Sequence, residues 1–118
     1  MEFSKGLEGL NKTWFIDLDG TLVVHNAHKN GGDVLLPNTL DFINSIDKND
    51  IIVLTTAREE IYRVSTINFL NENKIRFNHI IFGLPSGPRI LINDNKPDGT
   101  KTAFAVNIER NVGVNFTN

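Results

Sequence analysis

Apolar residues arrive along this chain in short bursts, and each burst stops at polar or acidic residues. The run Thr13-Trp14-Phe15-Ile16-Asp17 is aromatic and β-branched and halts at acid and glycine, which predicts a buried strand. Ile51-Ile52-Val53-Leu54 predicts a second strand, His79-Ile80-Ile81-Phe82 a third, Arg89-Ile90-Leu91-Ile92 a fourth and Thr102-Ala103-Phe104-Ala105-Val106 a fifth. Between the first three, the apolar spacing becomes helical. Pro37-Asn38-Thr39 opens one helix with Leu40, Ile43 and Ile46 on its inner face, closed by Asn49-Asp50. Thr55-Thr56-Ala57 leads into another with Ile61, Val64, Ile67 and Leu70 on one face, ending near Asn71 and Asn73. Residues 1–12 read as a tail or edge segment, and 20–36, with His25, His28 and Gly31-Gly32, as a loop or flap.

Short apolar strands alternating with amphipathic helices predict an α/β fold with a mostly parallel sheet covered on both faces. Ligands of such sheets bind beyond the carboxyl ends of the strands. Asp17 and Asp19, Thr55 and Thr56, and Asn93 and Asp94 should therefore converge on one edge. A length of 118 residues makes 1–118 a single domain, since half of it could not bury a sizeable core. The net charge of −2 argues against a nucleic-acid partner bound through bulk electrostatics. Absence of cysteine excludes a disulfide framework, a thiolate zinc site and a cysteine nucleophile. No run approaches the ~20 apolar residues of a membrane span, and residues 1–12 lack the basic-then-apolar pattern of a secretory signal. A soluble cytoplasmic protein with no membrane contact is the expectation.

The chemistry concentrates at Asp17-Leu18-Asp19-Gly20-Thr21-Leu22. Asp17 ends a strand, so its carboxylate can face a pocket from a fixed backbone, and Gly20 permits the turn that carries the chain away. Two carboxylates this close repel unless a cation or a shared proton relieves them. Mg²⁺ suits the task, because it takes one or two carboxylates plus water and phosphate. A second acidic group, Asn93-Asp94-Asn95-Lys96-Pro97-Asp98, follows the predicted fourth strand and supplies further oxygen ligands.

These segments, with Leu54-Thr55-Thr56-Ala57-Arg58 between them, resemble the haloacid dehalogenase-like (HAD) superfamily of phosphatases and phosphotransferases over residues 13–98. The resemblance implies a three-layer α/β/α Rossmann-like fold and a two-step mechanism. Asp17 would attack phosphorus to form an aspartyl-phosphate, and Asp19 would protonate the leaving group and then activate water. Asp17, the carbonyl of Asp19 and Asp94 would hold Mg²⁺, with Asp98 orienting the metal's shell. Thr55 would bind a phosphoryl oxygen beside Gly20, with Thr56 as the alternative in the doubled threonine. The family's usual lysine is missing: Leu84-Pro85 stands where related small members carry Lys-Pro. Arg89 is the candidate replacement, with Lys96 and Lys101 as the other cations nearby.

The intervals from Leu22 to Pro37 and from Phe77 to Asp94 are too short for a cap domain, so a capless member is expected. Its open site would be covered by a large substrate, a homo-oligomer or a partner subunit. The leading expectation is hydrolysis of a small phosphomonoester. A sugar phosphate is suggested by similarity to capsular and surface-polysaccharide members. A nucleotide, nucleic-acid end or phosphoprotein is the alternative substrate, and a non-catalytic metal- or phosphate-binding module the alternative class. Plainer readings stand beside these. An Asp-x-Asp-Gly alone is usually a turn, Thr55 and Thr56 could simply cap a helix, and His25 and His28 read as surface loop residues before substrate contacts. Arg58 and Arg63 read as solvated or ion-paired helix residues, Arg58 being close enough to Thr56 to approach a substrate, and Trp14 as a core or sheet-face residue.

Overall fold

The computed structural model describes Phe3 and residues 6–116. Part of the predicted 1–12 tail therefore lies outside the described residues. The chain forms a small α/β unit of three parallel strands and two helices: β1 (Thr13–Asp17), α1 (Thr39–Ser45), β2 (Ile51–Thr55), α2 (Arg63–Glu72) and β3 (His79–Ile81). The sheet order is β1-β2-β3. Asp17 pairs with Thr55, and Thr55 with Ile81, so the carboxyl ends of all three strands lie level. The ladder continues one residue further. Leu18 N–H donates to the Thr55 carbonyl at 3.0 Å, and Thr56 N–H to that of Ile81 at 3.0 Å. The first residues after β1 and β2 are thereby fixed as firmly as the strands.

The core gathers Ile16 and Leu18 from β1 and its extension, Ile52 and Leu54 from β2, Phe42 and Ile43 from α1, Leu70 from α2, and Leu22, Val23 and Val114 from loops. Within α1 the inner face is Thr39, Phe42 and Ile43, while Leu40, predicted inward, is exposed. Thr39 enters the core because its hydroxyl donates to the Leu22 carbonyl at 2.8 Å. The α2 stripe is also rotated from its prediction. Ile61 (82% exposed) sits in the 3-10 turn Glu60–Tyr62 that precedes the helix, Val64 is 71% exposed, and Thr66 and Leu70 are buried. Trp14 packs edge-on against Phe42 with ring centroids 5.9 Å apart, as a core residue should.

Asp50 turns out to be structural. Its buried carboxylate accepts from Lys12 N–H at 2.9 Å and from the Trp14 indole N–H at 3.0 Å, fastening the start of β1 beside the start of β2. Asp50→Ala will cost about 3 kcal/mol in urea denaturation, because both donors lose their partner in a water-poor site. Asp50→Asn, which keeps one acceptor oxygen, will cost less than half of that.

Two expectations are corrected. Residues 89–92 form no strand: they lie outside the sheet, with Ile90 84% and Ile92 91% exposed. Seven residues separate β3 from Arg89, whereas a parallel crossover takes about a dozen. Residues 102–106 form no strand either, and Phe104 and Val106 are exposed. A compact loop stands between them instead, closed by Lys96 N–H donating to the Thr100 carbonyl and by Asn93 Nδ2 donating to Thr102 Oγ1 at 2.6 Å. Without those strands the sheet is not covered on both faces at β1, where Phe15 is 59% exposed. Among the described residues, no helix is long and apolar enough to cross a membrane.

Candidate functional site

The turn after β1 is built around one carbonyl. Leu18 O accepts from Leu22 N–H at 2.9 Å and from Val23 N–H at 3.2 Å, with Thr21 N–H at 3.3 Å. The side chains of Leu18 and Leu22 are sealed in the core, which forces the intervening polar residues outward. Gly20 has a φ of +85°, a left-handed conformation, and a Cβ there would meet Arg110 Cγ at 3.0 Å. Asp17, Asp19, Gly20, Thr21, Ile108 and Arg110 line a cleft of about 170 Å³ at the carboxyl edge of the sheet. The convergence of Asp17 and Asp19 thus follows from the alternation of buried leucines with half-buried acids that face the cleft.

Thr21 Oγ1 donates to Asp17 Oδ2 at 3.1 Å, and an Arg89 guanidinium nitrogen lies 3.8 Å from Oδ1. Burial pushes the Asp17 carboxyl up from its ordinary pKa. The Thr21 hydrogen bond and the Arg89 charge work against that rise, and Asp19 adds to it. A carboxyl raised in the folded state contributes stability below its unfolded pKa, and that contribution is lost as pH rises through the folded pKa. In metal-free buffer, Asp17→Asn will therefore be more stable than the parent at neutral pH. The difference will close on acidification, as read by urea melts across the pH range.

Asp19 is held far more tightly. Its Oδ2 accepts from Thr56 Oγ1 at 2.7 Å, and its Oδ1 from Arg58 Nε at 3.0 Å, with Arg58 Nη2 2.9 Å from the same oxygen. The other side of the Arg58 fork binds Asp33 in bidentate fashion at 2.7 and 2.8 Å, and Nη1 also donates to Thr66 Oγ1 at 2.9 Å. Burial opposes the Arg58 charge, but the hydrogen bonds and charges of Asp33 and Asp19 outweigh it and hold the guanidinium above its ordinary value. Arg58 is thus ion-paired, one of the two states expected of it, but it is buried in a loop and not on a helix. Arg63 is likewise ion-paired, 2.8 Å from Glu60. Thr56 is the threonine that reaches the loop; Thr55 is buried on β2 and has no side-chain hydrogen bond to Asp17 or Asp19.

His28 is not a surface residue. Its side chain is buried edge-on against Tyr62, 4.6 Å between centroids, with Nδ1 3.9 Å from Asp19 Oδ1. Burial, then the Arg58 charge, lowers its pKa and favours the neutral imidazole. Neither ring nitrogen has a hydrogen-bond partner among the described residues. His25 is tied by its backbone, its N–H donating to Asn111 Oδ1 at 2.8 Å.

Asp94 and Asp98 do not join this arrangement. Both are exposed, and Asp98 Oδ1 accepts from Thr100 N–H at 2.9 Å as an ordinary loop cap. Among the described residues, no three His, Asp or Glu side chains stand together as a metal-binding group. Asp17 and Asp19 line the cleft, and Asp94 and Asp98 are not among its lining residues. What the loop itself offers Mg²⁺ is the Asp17 carboxylate and the Asp19 carbonyl, which accepts no hydrogen bond among the described residues. Of the three candidate cations, Arg89 alone forms an ion pair with Asp17, while Lys96 and Lys101 are exposed. Sequence reasoning missed Asp33, Thr21 and Arg110. Thr21 adjoins the aspartates and was open to notice, but Asp33 and Arg110 reach the site only through folding.

Fold and site together define a small parallel α/β protein with a two-aspartate loop at the carboxyl edge of its sheet. The chain matches no protein-family model, no curated protein and no solved structure.

Proposed function

We propose that this chain is a phosphomonoester hydrolase of the HAD-like superfamily, capless and acting through an aspartyl-phosphate. The observation that carries the reading is the pair Asp17 and Asp19 facing one cleft from a rigid strand end, with Arg89 and Arg110 as local cations. An Asp17 oxygen attacks phosphorus, the bond from phosphorus to the leaving oxygen breaks, and its electron pair leaves with that oxygen. Asp19, once protonated, gives the departing oxygen its proton. It then takes a proton from the water that attacks the aspartyl-phosphate, which returns Asp17 and releases inorganic phosphate. To do this Asp19 must exchange one donor, Thr56 or Arg58, for the reacting oxygen. The Asp17 carboxylate and the Asp19 carbonyl would hold Mg²⁺, which would supply charge neutralisation on the phosphoryl oxygens. The three-layer α/β/α fold belongs to the same proposal, as do a sugar phosphate as substrate and a cytoplasmic location.

A binding or regulatory module is the second reading, favoured by the saturation of the Asp19 carboxylate with donors and by the exposure of Asp94 outside the cleft lining. Magnesium-dependent hydrolysis of p-nitrophenyl phosphate, followed by a panel of sugar phosphates and nucleotides, separates the two. Turnover dependent on magnesium supports the enzyme. Magnesium binding without turnover on any phosphate supports the module.

A further inference from the structure

Two surfaces of this molecule are unfinished. One is the outer edge of β1, which has no strand partner among the described residues. The parallel register sets Phe15, Ile51 and Ile81 on the same sheet face, and all three are exposed. The other is Arg89–Asn93. Ile90, Leu91 and Ile92 are exposed, and the segment makes no backbone hydrogen bond among the described residues. An apolar run with free backbone groups and an unpaired strand edge are complementary. The chain as a whole exposes 7777 Å², against about 6,400 Å² for a folded monomer of 13.2 kDa, and these two surfaces are part of that excess. The excess exceeds the ~800 Å² per partner of a standard interface.

The geometry selects the occupant. Arg89 reaches Asp17, so the run begins at the carboxyl end of its own β1. From there it cannot lie parallel to that strand, which would require starting at Thr13, and it makes no antiparallel backbone hydrogen bonds to that strand among the described residues either. A second copy related by a two-fold axis removes the difficulty. The two β1 strands are then antiparallel, and each copy's run, leaving its own carboxyl end, meets the amino end of the other copy's β1. We infer that two copies exchange these segments, Arg89–Asn93 of each lying parallel to Thr13–Asp17 of the other in one continuous sheet. Leu91 then faces Phe15. Asp94, the next residue after the run, arrives beside Asp17 and the Asp19 carbonyl of the other copy and supplies the acid that the loop lacks. The two-fold closes the assembly at a dimer. The role of Asp94 rests on the proposed phosphoryl-transfer site, whereas the strand exchange rests on exposure and direction alone.

The absence of native cysteine makes the exchange directly testable. Phe15→Cys and Leu91→Cys chains, refolded together and oxidised or bridged with a short bis-maleimide, will give a mixed covalent dimer, identified by its mass, that Phe15→Cys does not give alone. Light scattering of the parent will show a dimer, and Ile90→Asp/Ile92→Asp will convert it to a monomer with unchanged far-ultraviolet circular dichroism. A parent that is monomeric at all concentrations, or a Phe15→Cys/Leu91→Cys chain linked only within itself, overturns the exchange. For Asp94, Mg²⁺ binding by calorimetry is the readout. Asp94→Asn will weaken it by ~10-fold or more, and co-refolding with Asp17→Asn will restore about a quarter of the tight sites, since half the dimers are mixed and each has one intact site. A cross-linked dimer without that restoration overturns the Asp94 assignment. A dimer with restored Mg²⁺ sites but no phosphatase activity sinks the phosphatase reading alone.

Discussion

Asp17→Asn will abolish turnover of every phosphomonoester, while Asp19→Asn will slow it by ~100–10,000-fold, the usual range for a lost acid–base group. The two losses fall on different steps. Asp17 is the only carboxylate of the cleft not saturated by donors, its partners being one hydroxyl and a guanidinium 3.8 Å away. Its amide counterpart has no anionic oxygen to offer phosphorus, so no covalent adduct can form. In the proposed mechanism Asp19 acts on the leaving oxygen and on water, so the effect of its loss depends on the leaving group. With an aryl phosphate, whose phenolate departs without a proton, Asp19→Asn will still be phosphorylated and will stall before hydrolysis. With an alkyl or sugar phosphate it will stall before the adduct. Acid-quenched peptide mass spectrometry will find phosphate on the peptide carrying Asp17 in Asp19→Asn, and none in Asp17→Asn. Parental rates in Asp17→Asn would end the covalent mechanism.

The parts of this site that could be read in the sequence are those set by local pattern. A run of apolar residues ended by acid gave β1 and its carboxylates, and the same logic gave β2 and the threonines after it, because a buried strand must end where polar residues begin. The register that levels Asp17 with Thr55 is a consequence of that burial. Where pattern misled, a partner was missing or a turn intervened. Ile90-Leu91-Ile92 has the composition of a core strand, but periodicity records a tendency to be buried and cannot say against what. The inner stripe of α2 was misplaced because the chain spends Glu60–Tyr62 in a 3-10 turn, which resets the phase of the residues that follow. The Arg58 contacts were beyond reach for another reason. Its carboxylate partners lie 39 and 25 residues away, and no local spacing links Arg58 to Asp19 or to Asp33.

That network joins one buried guanidinium to two carboxylates, so breaking it is costly. Arg58→Met will destabilise the chain by about 3–5 kcal/mol, the cost of leaving buried carboxylates without their cation. A typical domain has only about 5–15 kcal/mol in all, so the variant will sit close to the unfolding threshold. The side chain of Asp33 is 7% exposed and that of Asp19 14%, so neither can turn fully to water for compensation. Arg58→Lys will fall between Arg58→Met and the parent, since an ammonium keeps the charge but cannot bridge both carboxylates with a planar fork. Removing the second charge as well is the decisive comparison: Arg58→Met/Asp33→Leu will be more stable than Arg58→Met alone, because one of the two stranded anions is gone. Non-additivity in that double-mutant cycle of at least 1 kcal/mol is expected for groups in one network. Additive effects, or a loss under 1 kcal/mol in the single variant, would mean that Arg58 neither holds Asp19 in place nor ties the flap to β2. Asp19 would then owe its position to Thr56 alone.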